Sequence, residues 1–152
     1  RIGTDQGSLV TVGIPGHTRD HVAFHWEETD ALFVGDLLLG RGSTTWIGEY
    51  LGGVEDYLRS LDRVTRLNPS ILYPGHGPPI TDTEATLDRF RRHRLERLKE
   101  VAEARRRSPE ATPEALATLV YGEKIPASLR RAAVRSITAA LYHLEGQGGV
   151  GA

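Results

Sequence analysis

The sequence predicts an α+β protein in which a strand-rich first half is followed by a helical second half. Up to residue 35, apolar residues mostly alternate with other residues, as they do in strands that bury one face of a sheet. From Thr81 onward, apolar residues recur every three or four positions, as they do in helices that bury one side. This change of period predicts two lobes of different architecture.

The first half contains four predicted strands and one helix. The strands are Leu9–Ile14, Val22–Trp26, Ala31–Val34 and Ile71–Tyr73. Between the last two, apolar residues from Val54 to Val64 have helical spacing, and Asn68-Pro69 is expected to end that helix.

Three helices are predicted in the second half. Thr81 and Glu84 have the spacing of a capping box, so a long helix should begin there, bury Leu95 among other residues, and end near Arg107. A second helix should have Thr112 as its N-cap and Gly122 as its end. A third should run from about Ser128 to Glu145, burying Leu129, Ala133, Ile137, Leu141 and Leu144, before a flexible tail over residues 146–152.

The long helix and the linker after it, residues 108–111, divide the chain. We expect one domain over residues 1–107 and a small helical domain over residues 108–152. The chain begins at Arg1 without a methionine, and its first residues look like a turn and strand inside a domain, which predicts that an N-terminal part precedes it.

Composition limits the class of protein and the chemistry of any metal site. With 39% hydrophobic and 26% charged residues, the chain has the composition of an ordinary globular protein. It shows neither a membrane-span nor a signal-peptide pattern, so the cytoplasm is the expected compartment and no membrane partner is expected. Because the chain contains no cysteine and 6 histidines, any metal must be held by imidazole, carboxylate and water.

Three glycine-containing segments place metal-binding residue types in loops after predicted strands. They are Pro15-Gly16-His17-Thr18, Gly35-Asp36 and Pro74-Gly75-His76-Gly77. Functional sites are often built in such loops. One histidine in a turn is usually a solvated surface residue, so the prediction depends on all three segments together.

In this order, the three segments resemble the second half of the metallo-β-lactamase fold, an αββα sandwich. The resemblance implies that His17 binds one metal, Asp36 bridges two metals and His76 binds the other. It also implies two divalent ions as cofactors, most simply zinc, although these ligands also suit iron or manganese. His21 follows the first segment and would lie behind the ligands, where a hydrogen bond from it would orient His17 or its loop.

The signature His-x-His-x-Asp-His loop of the superfamily is absent from these residues. It supplies four of the ligands in the superfamily and lies upstream of the segments found here. Asp20-His21 is not that loop, because no His-x-His precedes it. We therefore expect a missing N-terminal half to complete the site, and this fragment alone to be inactive.

The C-terminal part resembles the branch related to β-lactamase-like protein 2. The resemblance rests on the turn Pro74–Pro78, on His93-Arg94 within the long helix and on the small helical domain, which is winged-helix-like in that branch. The best-described member of the branch cleaves single-stranded RNA. Related enzymes hydrolyse esters or thioesters with the same ligands, so the fold alone does not decide the substrate.

Basic residues cluster on the long helix and bear on the choice of substrate. They are Arg89, Arg91, Arg92, Arg94, Arg97 and Lys99. Such a cluster can contact phosphates, but interleaved glutamates favour an ordinary solvated face. The helical domain could likewise bind DNA, but the largely apolar third helix favours packing against the main domain.

These observations predict a metal-dependent hydrolase in which two ions activate a water. Its substrate would be single-stranded RNA, by the resemblance, with a small-molecule ester or thioester as the close alternative. The alternative is a non-catalytic scaffold that retains the fold. All three ligands expected in this half are present, which favours the enzyme.

Overall fold

In a computed structural model, which describes residues 1–123 and 125–148, the chain forms one five-stranded sheet and four α-helices. The strands are β1 (Ile2–Thr4), β2 (Gly7–Gly13), β3 (Val22–Trp26), β4 (Ala31–Gly35) and β5 (Ile71–Pro74). The helices are α1 (Gly53–Leu67), α2 (Thr83–Arg107), α3 (Pro113–Tyr121) and α4 (Ala127–Gly148). The four predicted strands are confirmed, and β1 is an additional edge strand.

The strands are ordered β1-β2-β3-β4-β5 in the sheet. Neighbouring strands are antiparallel except for β4 and β5, which are parallel and are connected through α1. In this arrangement the C-terminal ends of β2, β4 and β5 lie at the same edge of the sheet. The three loops with the predicted ligands therefore begin at one edge, although they are far apart in the sequence.

Helix α1 packs one side into the core, as predicted. Val54, Tyr57, Leu61 and Val64 are each at most 1% exposed. The helix ends where Asn68 adopts a left-handed conformation with φ of 48° and donates its backbone N–H to the carbonyl of Val64. The predicted stop at Asn68-Pro69 is thus confirmed.

Helix α2 differs from its prediction in two respects. It begins at Thr83 after Asp82 and has no side-chain cap, so the predicted capping box of Thr81 and Glu84 is wrong. Leu95 is 41% exposed and not buried, because the buried position beside it is taken by Arg94. An apolar pattern alone does not anticipate that a charged residue occupies the inward position.

Helices α3 and α4 form the predicted pair at the C-terminal end. The Thr112 hydroxyl accepts a hydrogen bond from the N–H of Ala115, and Gly122 caps the other end of α3, as predicted. Helix α4 is longer than predicted, and the remainder of the predicted tail, residues 149–152, lies outside the described residues. The expected burial of Leu129 is wrong: it is 56% exposed, because the first turn of α4 borders an open pocket.

One hydrophobic core joins the sheet to all four helices. Leu32 and Leu72 from the sheet, Phe90 from α2, Leu116 from α3 and Ile137 from α4 belong to the same buried cluster. Helix α4 contacts both α1 and α2, so the C-terminal helices pack against the main domain. Within the described residues, no helix is both long and apolar enough to cross a membrane.

Candidate metal centre

The structure brings His17, Asp36 and His76 together at one edge of the sheet. Nε2 of His17 lies 3.8 Å from Oδ2 of Asp36, and Nε2 of His76 lies 3.6 Å from Oδ1 of the same residue. The two imidazoles therefore face different oxygens of one carboxylate. A carboxylate that bridges two metal ions about 3.5–4 Å apart presents its oxygens in this way.

Two backbone hydrogen bonds hold the loop after β4 against the loop after β5. The N–H of Gly75 donates to the carbonyl of Gly35 at 2.8 Å, and the N–H of Gly40 donates to the carbonyl of His76 at 2.8 Å. These bonds fix the separation of Asp36 and His76 without using either side chain.

Gly75 leaves open the space that the Asp36 carboxylate occupies. A Cβ atom at this position would lie 2.7 Å from Oδ1 of Asp36, closer than real Cβ contacts allow. Glycine thus leaves room for the carboxylate to stand between the two histidines.

The loop with His17 is held by a helix and by a neighbouring segment. The Ser60 hydroxyl of α1 donates to the carbonyl of Pro15 at 2.7 Å. Nδ1 of His17 lies 2.9 Å from the carbonyl oxygen of Trp46. A carbonyl oxygen only accepts hydrogen bonds, so Nδ1 of His17 is the donor, and in the neutral ring this leaves the free lone pair on Nε2.

Asp36 is fixed through its backbone and leaves a carboxylate oxygen without a partner. The Thr45 hydroxyl donates to the Asp36 carbonyl at 2.8 Å. Oδ1 of Asp36 is buried and has no hydrogen-bond partner among the described residues. A buried acceptor that is not satisfied by hydrogen bonds is consistent with a cation ligand.

Two family models match the sequence. The metallo-β-lactamase superfamily model matches residues 2–76, and the β-lactamase-associated winged helix domain matches residues 112–151. A β-lactamase-like protein 2 homologue of Caenorhabditis elegans is 32% identical over 143 residues, which are 94% of this chain and 46% of that protein. The chain belongs to the metallo-β-lactamase superfamily. The predicted resemblance and fold class are confirmed.

Two further similarities extend this result. A metallo-β-lactamase family protein of Thermus thermophilus has a TM-score of 0.77 and 29% identity, covering 92% of this chain and 44% of that one. An atrochrysone carboxyl ACP thioesterase of Aspergillus chevalieri is 42% identical over 94 residues, which are 62% of this chain and 29% of that enzyme. The chain thus spans less than half the length of these relatives, which belong to a superfamily of hydrolases.

The donor set suits the divalent metals that this superfamily typically binds. Imidazole and carboxylate are ligands of zinc, iron and manganese. Within the described residues, neither Nε2 of His17 nor Oδ1 of Asp36 makes a hydrogen bond, so the residues present fit one part of a metal centre. In the described part of the chain, no three His, Asp or Glu side chains are grouped closely enough to hold an ion by themselves. Further ligands would have to come from outside these residues.

His21, predicted to orient His17, lies beside His17 and Asp36. Its ring meets the ring of His17 edge-on, with centroids 6.0 Å apart, and its Nδ1 makes no hydrogen bond to a described residue. Burial lowers the pKa of His21, and the neighbouring His17 lowers it further, so its neutral form is favoured. Gly35, with φ of +52°, makes room for it, since a Cβ there would lie 2.7 Å from Nε2 of His21.

The residues of the site differ in exposure. The side chains of His17 and Asp36 are 24% and 31% exposed, whereas that of His76 is 76% exposed. The site is thus an open edge rather than an enclosed pocket. The edge has space at His76 for further protein or for a substrate.

Sequence reasoning missed the groups that position the candidate ligands. Thr45 and Trp46 act through a hydroxyl and a main-chain carbonyl, and Ser60 acts from inside a helix. No motif marks these positions, because their contacts are between residues far apart in the chain. Trp46 is an aromatic residue in a segment interrupted by several glycines. Such aromatic residues more often cover the core than line a site, so the sequence signal for Trp46 is weak.

Proposed function

We propose that His17, Asp36 and His76 supply part of the di-metal centre of a hydrolase. The observation that carries the proposal is the position of the Asp36 carboxylate, whose two oxygens face the Nε2 atoms of different imidazoles at 3.8 and 3.6 Å. Asp36 would bridge the ions, His17 would bind one, and His76 would bind the other. The loop His-x-His-x-Asp-His of a preceding N-terminal part would complete the centre.

Two bound ions would activate water at neutral pH and stabilise the negative charge that develops on the attacked group. The residues of this chain would hold and orient the centre. The Trp46 carbonyl keeps the proton of His17 on Nδ1, which directs the lone pair of Nε2 toward Asp36. His21, with its lowered pKa, would remain neutral beside the ions and add no positive charge.

We propose a small-molecule ester or thioester as the substrate. The similarity to a fungal thioesterase supports this choice. The arginines of α2 support it as well, because several are already engaged within the protein. Arg91 pairs with Asp62, Arg89 donates to the carbonyl of Gly42 at 3.3 Å, and Arg94 is buried, so none of the three lies free at the surface. A helix with paired or buried arginines offers fewer free charges for the phosphates of RNA.

The first test is the metal content of the longest natural form of the protein after exhaustive dialysis. We expect about two ions per chain, as in two-metal hydrolases. Asp36→Ala should lower the metal content and abolish hydrolysis, because it removes the bridging carboxylate. Asp88→Ala, at an exposed position on α2, is the matched control and should retain both.

Retention of both metal ions and of the wild-type turnover in Asp36→Ala would overturn the assignment of this residue. Absence of metal from both the wild type and the control would favour the non-catalytic scaffold. The substrate is tested on the loaded protein with acyl thioesters and with single-stranded RNA in parallel. Faster cleavage of RNA would replace the proposed substrate with a phosphodiester.

A further inference from the structure

A pocket of about 540 Å³ lies between the main domain and the C-terminal helices, beside the segment Thr44–Trp46. Helices α2 and α4, the end of α3 and the connection between α3 and α4 form the rest of its wall. Its volume is in the range of small-molecule sites, which are typically about 300–1,000 Å³. The proposed hydrolysis assigns this pocket no role, although Trp46 both lines it and lies against His17, with ring centroids 6.1 Å apart.

Much of the pocket wall is apolar. Trp46, Tyr121, Ile125 and Leu129 contribute large side chains, and alanines of α4 contribute small ones. Leu129 is 56% exposed at this position. An apolar residue that is left uncovered beside a cavity would be stabilised by an apolar ligand.

The polar side chains of the pocket include two arginines of α2, Arg94 and Arg97. Arg94 is only 7% exposed and donates one hydrogen bond to the Thr45 carbonyl at 2.8 Å. Burial lowers the pKa of Arg94, the neighbouring Arg97 lowers it further, and no carboxylate is among the groups that influence it. A buried guanidinium without a neighbouring carboxylate is costly, and a bound anion would offset part of that cost.

The charge of the pocket favours an anion. Arg97 pairs with Glu100, and its guanidinium carbon also lies 4.6 Å from the ring centroid of Tyr121. Because Tyr121 lines the cavity, Arg97 borders it as well. His93 also lines the cavity, but burial together with Arg97 and Arg94 lowers its pKa, so its neutral form is favoured and it adds no charge. Among the described residues that line the pocket, none is Asp or Glu.

We propose that this pocket binds a small amphipathic anion, a carboxylate attached to an apolar chain or ring. The carboxylate would pair with Arg94 and Arg97, and the apolar part would lie against Trp46, Tyr121 and Leu129. This inference goes beyond the proposed hydrolysis, because it requires no metal. The two sites share one segment, since Thr45 and Trp46 also hold Asp36 and His17 by hydrogen bonds.

Binding is tested by titrating the longest natural form of the protein with decanoate, kept below the concentration at which it forms micelles. Trp46 lines the pocket and reports occupancy through its fluorescence. Trp26 lies in β3, and Trp26→Phe removes its signal in all samples. We expect a saturable change with decanoate and none with decyltrimethylammonium, a cation of the same chain length. The proposal fails if decanoate causes no saturable change, or if the cation binds equally well.

Two pairs of variants locate the binding. Arg97→Gln should weaken decanoate binding about tenfold, as expected for loss of a hydrogen bond to a charged group, while Arg92→Gln on the same helix should leave it unchanged. Leu129→Asp should also weaken binding, whereas Leu119→Asp, at a similarly exposed leucine of α3 outside this pocket, should not. Unchanged affinity in both Arg97→Gln and Leu129→Asp would overturn the proposal, as would equal losses in the control variants. None of these measurements depends on hydrolysis, so failure of the proposed function would not by itself overturn them.

Discussion

Nδ1 of His17 donates a hydrogen bond to the main-chain carbonyl of Trp46 at 2.9 Å. The indole of the same Trp46 donates to the carbonyl of Ala132 in α4 at 3.0 Å, and the guanidinium of Arg135 lies 5.5 Å from its ring centroid. One residue thus connects a candidate metal ligand to the winged-helix domain. The position of that domain should therefore influence the metal centre.

Shortening the side chain of Trp46 tests this connection. Trp46→Phe removes the hydrogen bond to Ala132, so the carbonyl that fixes His17 would be less well held. We expect metal affinity of the longest natural form of the protein to fall about tenfold, the lower end of the effect of outer-shell changes. Affinity is measured by competition with a chelator.

The control for this prediction is Trp26→Phe. Trp26 lies in β3, and its indole N–H is buried without a hydrogen bond to a described residue, so its replacement removes no known contact of the site. Equal metal affinity in the two variants would show that Trp46 does not position His17.

Gly75→Ala should disturb the centre directly. The new Cβ would lie 2.7 Å from Oδ1 of Asp36, so the carboxylate would have to shift from its position between the two histidines. We expect the bound metal to fall below two ions per chain after dialysis of the longest natural form, while the fold is retained. Metal content is measured by mass spectrometry, and thermal unfolding monitors the fold.

Gly3→Ala is the matched control for Gly75→Ala, because a Cβ at Gly3 would meet nothing within 4 Å. It should bind metal as the wild type does. If Gly75→Ala still binds two metal ions per chain, the space that Gly75 leaves for the Asp36 carboxylate is not needed for metal binding.

Most of the fold followed from hydrophobic periodicity. The strands of the sheet, the buried side of α1 and the cap of α3 at Thr112 depend on local patterns, and these predictions are confirmed. The errors arose where tertiary contacts override the local pattern. Arg94 takes a buried position that the apolar pattern of α2 had assigned to Leu95, because Thr45 and the ring of Tyr57 provide partners for its guanidinium.

The candidate site was predictable only in part, for a related reason. His17, Asp36 and His76 stand in glycine-containing loops that a sequence pattern can reveal. Their assignment as metal ligands remains a prediction. The groups that hold them, such as the carbonyl of Trp46, belong to the main chain and depend on how the segment after β4 is folded.

The pH dependence of stability should contain a contribution from His93. Burial and the charges of Arg97 and Arg94 lower its pKa in the folded protein. Between that lowered pKa and the ordinary value of about 6.5, the unfolded chain binds a proton that the folded protein does not bind. Stability should therefore fall as the pH decreases through about 6.5 and stop falling, for this residue, below the folded pKa.

His93→Gln removes this titration. The free energy of unfolding, measured with urea at about pH 7.5 and about pH 5.5, should fall less in the variant than in the wild type. A larger fall in His93→Gln than in the wild type would contradict the sign of the shift. All other titratable groups are the same in both proteins, so the difference between the two isolates His93.

Ser60→Ala should destabilise the loop that precedes His17. The Ser60 hydroxyl, in a side chain that is 3% exposed overall, donates to the Pro15 carbonyl at 2.7 Å and ties this loop to α1. Loss of the bond leaves that carbonyl without this donor, so we expect the free energy of unfolding to fall by about 1 to 2 kcal/mol. Metal affinity should fall as well, because Pro15 is two residues from His17.

Ser136→Ala, at the other buried serine, on α4, is the control and should retain metal affinity. If Ser60→Ala lowers stability but leaves metal affinity at the wild-type value, the bond supports the fold alone, and His17 is positioned by the Trp46 carbonyl without help from α1.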